Sequence, residues 1–362
     1  MLVNIQFLRF LAALMVVLYH ASKHVLSTGV EQGALFSAAE SVGFAGVDVF
    51  FVISGFIMFH TTTGKSGAAA SGDFIRRRAA RIFSGYWPFF LLAAVVFAWA
   101  RPGHFAESDL LTSFFLWPAP LNKVLLDVSW TLSYEMYFYI LFMALMLFGI
   151  RSRLWILAAI LGLVASYNLI QHFLLQSFIP ENYYYNSFNK LFYTSPFLVE
   201  FFAGAVLASF ARKGPAGLGW LLLLFGILGF AAAGGANVWI YDGKIEQGFH
   251  VVPRVLMFGI PSVLILWGLV NLETHGWKAP ARFSLATGGA SYAIYLCHTI
   301  FFTATMKLGI YQAMQGWSAT MVQVAYLAYC LLIVGYGVVH YKTLEQSLHR
   351  LFKRALRVSH RV

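Results

Sequence analysis

Residues 9–20 read RFLAALMVVLYH: ten uncharged residues, with Arg9 at one end and His20 at the other. The run is apolar enough for a membrane-spanning helix, where an ionisable side chain is expensive and faces a bundle interior or a water-filled cavity. Eleven residues separate the two, about three helical turns with ~20° left over, so they share one face roughly 16 Å apart. Two readings stay open. Arg9 snorkels to the headgroups while His20 caps the outer end, or both mark one functional face.

The rest of the chain has the same solvent. Of 362 residues, 60% are hydrophobic and only 11% charged, with a mean hydropathy of +0.72; soluble domains carry about a quarter charged residues. Runs near 4–22, 42–60, 82–100, 129–149, 154–171, 191–210, 217–235, 251–271, 290–307 and 319–341 each approach the ~20 apolar residues of a span. A shorter run at 109–117 reads as interfacial or re-entrant. No Lys or Arg precedes Arg9, and many apolar runs follow, which favours an uncleaved first span over a signal peptide. The expected fold is an all-α membrane protein, a polytopic bundle of about ten transmembrane helices.

Ten crossings put both termini on one side. Eighteen of the 25 Lys and Arg residues fall on that side and seven on the other, so both termini are expected to be cytoplasmic. The net charge of +11 is then a topology signal and calls for no nucleic acid. A basic tail from Lys342 to Arg361 suits an anionic leaflet. Cys297 and Cys330 sit in apolar runs and form no metal pattern, and no His/Asp/Glu spacing resembles a dedicated ligand set.

Further ionisable groups lie inside the spans. In GFAGVDVFFVISGF (43–56), Asp48 precedes Ser54 and Gly55; in DVSWTLSYEMYFY (127–139), Glu135 sits one turn from Tyr139. The topology puts Asp48, Glu135 and His20 in the outer half of the bundle. Either carboxylate beside His20 fixes its tautomer and raises its basicity; the alternative is a structural buried ion pair. Glu200 is a further intramembrane acid without an assigned role. In SYAIYLCHTIFF (291–302), Ser291, Tyr295 and His298 share a helical face, either a polar cavity wall or hydrogen bonding between helices. The run FIRRRAARIFSGYWPFF (74–90) holds Arg76, Arg77, Arg78 and Arg81. It satisfies the positive-inside rule, and equally suits a phosphate clamp, since Arg forks phosphate.

Together these stretches resemble the acyltransferase 3 family of integral membrane acyltransferases, from residue 4 to about 346. The family's Arg-x10-His pair is matched by Arg9 and His20, its second span by GVDVFFVISGF, and its arginine-rich segment by RRRAARI. Its Trp-Ser-Leu-x-x-Glu motif is matched by WTLSYE, with Thr131 in place of Ser. The late Ser-Tyr-x-x-Tyr-Leu-x-His motif is matched in full at 291–298, and Tyr341 and Glu345 supply the final Tyr-x-x-x-Glu. One departure is Ser84, where the family commonly has proline; here a proline follows at Pro88.

The resemblance implies a transmembrane domain over residues 1–346, followed by a basic cytoplasmic tail over 347–362, in the cell inner membrane. It implies transfer of an acyl group, usually acetyl from acetyl-CoA, to a hydroxyl of an extracellular polysaccharide or other glycoconjugate. The opening Asn-Ile-Gln-x-Leu-Arg is most like exopolysaccharide O-acetyltransferases. In that frame His20 is the general base, or a nucleophile that carries the acyl group. Arg9, Asp48 and Glu135 join it as catalytic candidates, and Arg76, Arg77, Arg78 and Arg81 hold the donor phosphates. Trp130, Tyr139, Ser291, Tyr295 and His298 line the substrate path. Expected partners are a glycan or lipid-linked oligosaccharide acceptor, membrane lipids, and polysaccharide-assembly proteins; no metal is expected. A transporter or flippase of lipid-linked sugars explains the spans and intramembrane charges as well, and a non-catalytic scaffold predicts a dispensable His20.

Overall fold

The structure, a computed structural model, describes residues 2–174, 188–246 and 251–358. Residues 359–362 of the basic tail lie outside it. Among the described residues the chain is helical and has no strand. Each apolar run is occupied by a helix: α1 Val3–Ser27, α2 Gly46–Thr62, α3 Ala68–Ala100, α4 Trp130–Leu145, α5 Ile150–Leu169, α6 Phe197–Leu207, α7 Leu218–Ile240, α8 Val251–Thr274, α9 Ala281–Lys307 and α10 Ala319–His340. A last helix, α11, covers Gln346–Ala355. Single π-helical segments lie within α8, at Val255–Gly259, and between α10 and α11, at Tyr341–Glu345.

Seven of the helical stretches described are long and apolar enough to cross a membrane, and the protein is a multi-pass membrane protein. The three runs outside that set have a physical reason to be there. Helix α4 has 16 residues and α6 has 11, about 24 and 16 Å of rise against a ~30 Å hydrocarbon core. Helix α9 is long, but it is diluted by Ser284, Thr287, Gly288, Gly289 and Ser291, all buried. These helices face protein as much as lipid, and they carry many of the polar groups.

α1 runs along α9, α2 packs on α6, and α7 on α8. Small residues permit the closest approaches. A Cβ on Gly55 of α2 would sit 1.8 Å from the Phe201 carbonyl oxygen of α6, and one on Gly288 of α9 would sit 2.2 Å from that of Gln6 in α1. Between them lies an aromatic core in which Phe51 meets Trp130, Tyr134, Phe138 and Phe197.

The 109–117 run forms a short helix, Leu110–Phe115. Asp109 caps it, accepting from the Thr112 backbone N–H at 2.9 Å and hydroxyl at 2.7 Å; these bonds, the backbone one foremost, hold its carboxyl below the usual range. Tyr86 and Trp87 of α3 donate to the Ser113 and Phe114 carbonyls and tie the segment down. α3 stays helical across Pro88.

Candidate active site

A cavity of about 350 Å³ opens between α1, α2, α3, α4 and α9. Its walls are mostly apolar, among them Phe50, Phe51, Ile53 and Leu132, with polar groups converging from each helix. α1 contributes Gln6 and Arg9, α2 Ser54, α3 Arg78 and Arg81, α4 Thr131, Glu135 and Tyr139, and α9 Ser291, Tyr292 and Tyr295. Small apolar-lined clefts with a few convergent polar groups are the usual form of a ligand site.

Inside it, Glu135 accepts hydrogen bonds from the Tyr139 hydroxyl and from Ser54 Oγ at 3.0 Å. Arg9 donates weakly to Gln6 Oε1 at 3.5 Å; among the described residues no carboxylate lies within ion-pair distance of it. Its guanidinium therefore offers donors to the cavity. Arg78 donates to Thr61 at 3.1 Å and lies over the Tyr139 ring. Arg81 forms an ion pair with the buried Glu345, a carboxylate visible in the sequence only as the end of the last motif.

His20 lies beyond the cavity. Its Nδ1 is 2.9 Å from the Val16 carbonyl oxygen and 3.2 Å from His298 Nε2. A carbonyl only accepts, so this geometry assigns the proton to Nδ1 and leaves the lone pair on Nε2. Tyr295 links the two regions: it lines the cavity, and its ring centroid is 5.8 Å from that of His298. Its hydroxyl donates to the Val128 carbonyl and accepts from Thr131, both at 3.1 Å, which fixes α9 against the start of α4.

The carboxylate expected beside His20 is absent from that position among the described residues. Asp48, fully buried, is taken by Arg254 through three contacts, the shortest 2.6 Å from Nη2 to Oδ2. Arg254 is itself wedged against Phe44 and Phe197. Glu135 turns into the cavity instead. The orienting partners of His20 are thus a backbone carbonyl and a second histidine. The Asp48–Arg254 pair joins residues 206 positions apart, and nothing in the local pattern of either run announces it.

The remaining candidates divide. Ser291 lines the cavity while its hydroxyl donates to the Gly288 carbonyl at 2.8 Å. Trp130 packs in the aromatic core and does not line the cavity. Arg77 pairs with Asp73 at 2.7 Å in the N-terminal part of α3, and Arg76 is exposed. Gln6, Ser54 and Tyr292 enter the site unforeseen; each is an ordinary polar residue in an apolar span, and only packing reveals its aim. The His/Cys/Asp/Glu groups among the described residues form no metal-holding cluster.

The acyltransferase domain matches residues 2–341. The exopolysaccharide production protein ExoZ of Rhizobium meliloti (strain 1021) is 32% identical over 335 residues, covering 87% of this chain and 94% of that protein. The acyltransferase MdmB of Streptomyces mycarofaciens is 28% identical over 320 residues, covering 80% of this chain and 76% of that protein. No solved structure matches. A domain match over nearly the whole helical bundle, including every helix that lines the cavity, makes this chain a member of the acyltransferase 3 family of integral membrane acyltransferases.

Proposed function

We propose that this protein is a membrane O-acyltransferase of the cell inner membrane, with both termini cytoplasmic. It moves an acyl group, acetyl by preference, from acyl-CoA to a hydroxyl of an extracellular polysaccharide or its lipid-linked precursor. The observation that carries this reading is continuity. Arg78 and Arg81 stand at one end of a mostly apolar cavity, Arg9, Glu135 and Tyr139 within it, and Tyr295 leads from it to the His298–His20 pair. A relative named for exopolysaccharide production supports the polysaccharide acceptor. Residues 1–346 are the catalytic unit and 347–362 the cytoplasmic tail.

The donor supplies a thioester, whose carbonyl carbon takes the acceptor oxygen and whose thiol departs. Arg78 and Arg81 bind its phosphates at the cytoplasmic mouth. Arg9 holds the carbonyl oxygens of the extended arm, three turns below the base. His20 Nε2 accepts the proton of the attacking hydroxyl and returns it to the departing sulfur. Its Nδ1–H is polarised by the Val16 carbonyl and His298 Nε2, which stabilises the positive charge as it forms.

The test is the ester content of surface glycans from cells lacking the protein, complemented at matched membrane levels and read by NMR. Wild type should restore an O-acyl ester and His20→Gln should not, a loss of 100-fold or more, on the order of a general base's contribution. Full restoration by His20→Gln would sink the mechanism. A change in polymer export with no change in ester would favour transport.

A further inference from the structure

A second cavity, of about 320 Å³, shares Thr61, Arg78 and Arg81 with the first and extends to the cytoplasmic side. Its cations come from three separate stretches: Lys65 between α2 and α3, Arg77, Arg78 and Arg81 on α3, and Lys353 on α11, beside His349 of the same helix. Two of these charges are matched within the protein, Arg77 by Asp73 and Arg81 by Glu345. Among the described residues, Arg78, Lys65 and Lys353 have no carboxylate within ion-pair distance. The positive-inside rule accounts for cations on this side. It does not account for their convergence on one hollow, which raises mutual repulsion unless an anion enters.

Helix α11 and the π segment that leads into it are held there by specific contacts. Glu345 meets Arg81, His349 Nδ1 lies 3.4 Å from Ser84 Oγ, and Phe352 packs edge-on against Trp87 at 5.3 Å. Positions 345, 349, 352 and 353 fall on one helical face, so the docked face of α11 also delivers Lys353. Arg350 and Arg354 are exposed.

We propose that α11 is part of the donor site, with Lys353, Lys65 and Arg78 forming a phosphate pocket for the nucleotide end of the acyl donor. This rests on the acyl-CoA reading above. A lipid headgroup carries the same phosphate chemistry, so the experiment separates the two sources.

Full-length protein in nanodiscs of phosphatidylcholine alone, and of phosphatidylcholine with phosphatidylglycerol, is titrated with CoA and with pantetheine. Lys353→Ala should weaken CoA binding about tenfold in both lipid mixtures, the size of one lost charge-assisted phosphate contact. Pantetheine binding should not change, Lys353→Arg should restore most of the affinity, and Arg354→Ala should match wild type. Equal CoA affinity in Lys353→Ala and wild type overturns the proposal. So does a difference seen only with phosphatidylglycerol, which would make the pocket a headgroup site. So does an equal loss for pantetheine, which would signal misfolding of α11. If wild type itself binds no CoA, the acyl-CoA reading fails first and takes the pocket with it.

Discussion

Asp48 shows what residue-scale reading yields and where it stops. Its place at the start of a span marked it as costly and therefore purposeful, which sequence conveys. Its partner depends on the packing of α2 against α8, which sequence does not convey. With Arg254 bonded to both oxygens, Asp48 holds the bundle in register. Its removal strands a buried guanidinium, a cost of about 3–5 kcal/mol. Asp48→Ala should therefore lower the detergent unfolding temperature sharply, while the double variant Asp48→Leu with Arg254→Met should recover much of the loss. Equal melting of wild type and Asp48→Ala would show that the pair does not stabilise the fold. His20 differs: its helix and depth were legible, but its histidine partner was visible only as a separate motif 278 residues away.

At the scale of elements, α1 and α9 set the spacing of the site, because Arg9 and His20 stand on one and Ser291, Tyr295 and His298 on the other. Gly288 lets them touch, and a methyl group there meets the Gln6 carbonyl at 2.2 Å. Gly288→Ala should force the helices apart by several tenths of an ångström or more. The expected outcome is a tenfold or greater drop in acyl transfer with protein still present in the membrane, consistent with the sensitivity of positioned groups to small displacements. Unchanged ester formation by this variant would mean that the α1–α9 spacing is not critical. Most element boundaries were readable from hydropathy. The exceptions are informative: α11 looks like a lipid-surface helix by its charges, yet it spends one face on α3.

For the whole molecule, the helices that fall short of span criteria include two of the five around the cavity. Hydropathy finds the lipid-facing shell readily and underrates the interior, because the groups that carry chemistry also dilute the apolar signal. The charge asymmetry gives a global prediction. Single cysteines at Lys65 and Lys123 should label from opposite sides, Lys65 only after permeabilisation with a membrane-impermeant maleimide. Labelling of both from outside would break the proposed topology, and labelling of Lys65 but not Lys123 from outside would reverse it.

The π segment at Tyr341–Glu345 has a consequence of another kind. Such a turn holds one residue more than an α-helix would, so it works as a spacer in the reading of the helix beyond it. Rewinding the segment as α-helix with every residue kept would swing everything after it by about 100° around the axis. Glu345, His349 and Lys353 would then turn away from α3 together. The segment is thus constrained in its winding even where its exposed side chains are free to vary: exchanges at Lys342 or Thr343 are tolerable, and insertion of a further residue, with no second π turn to absorb it, is not.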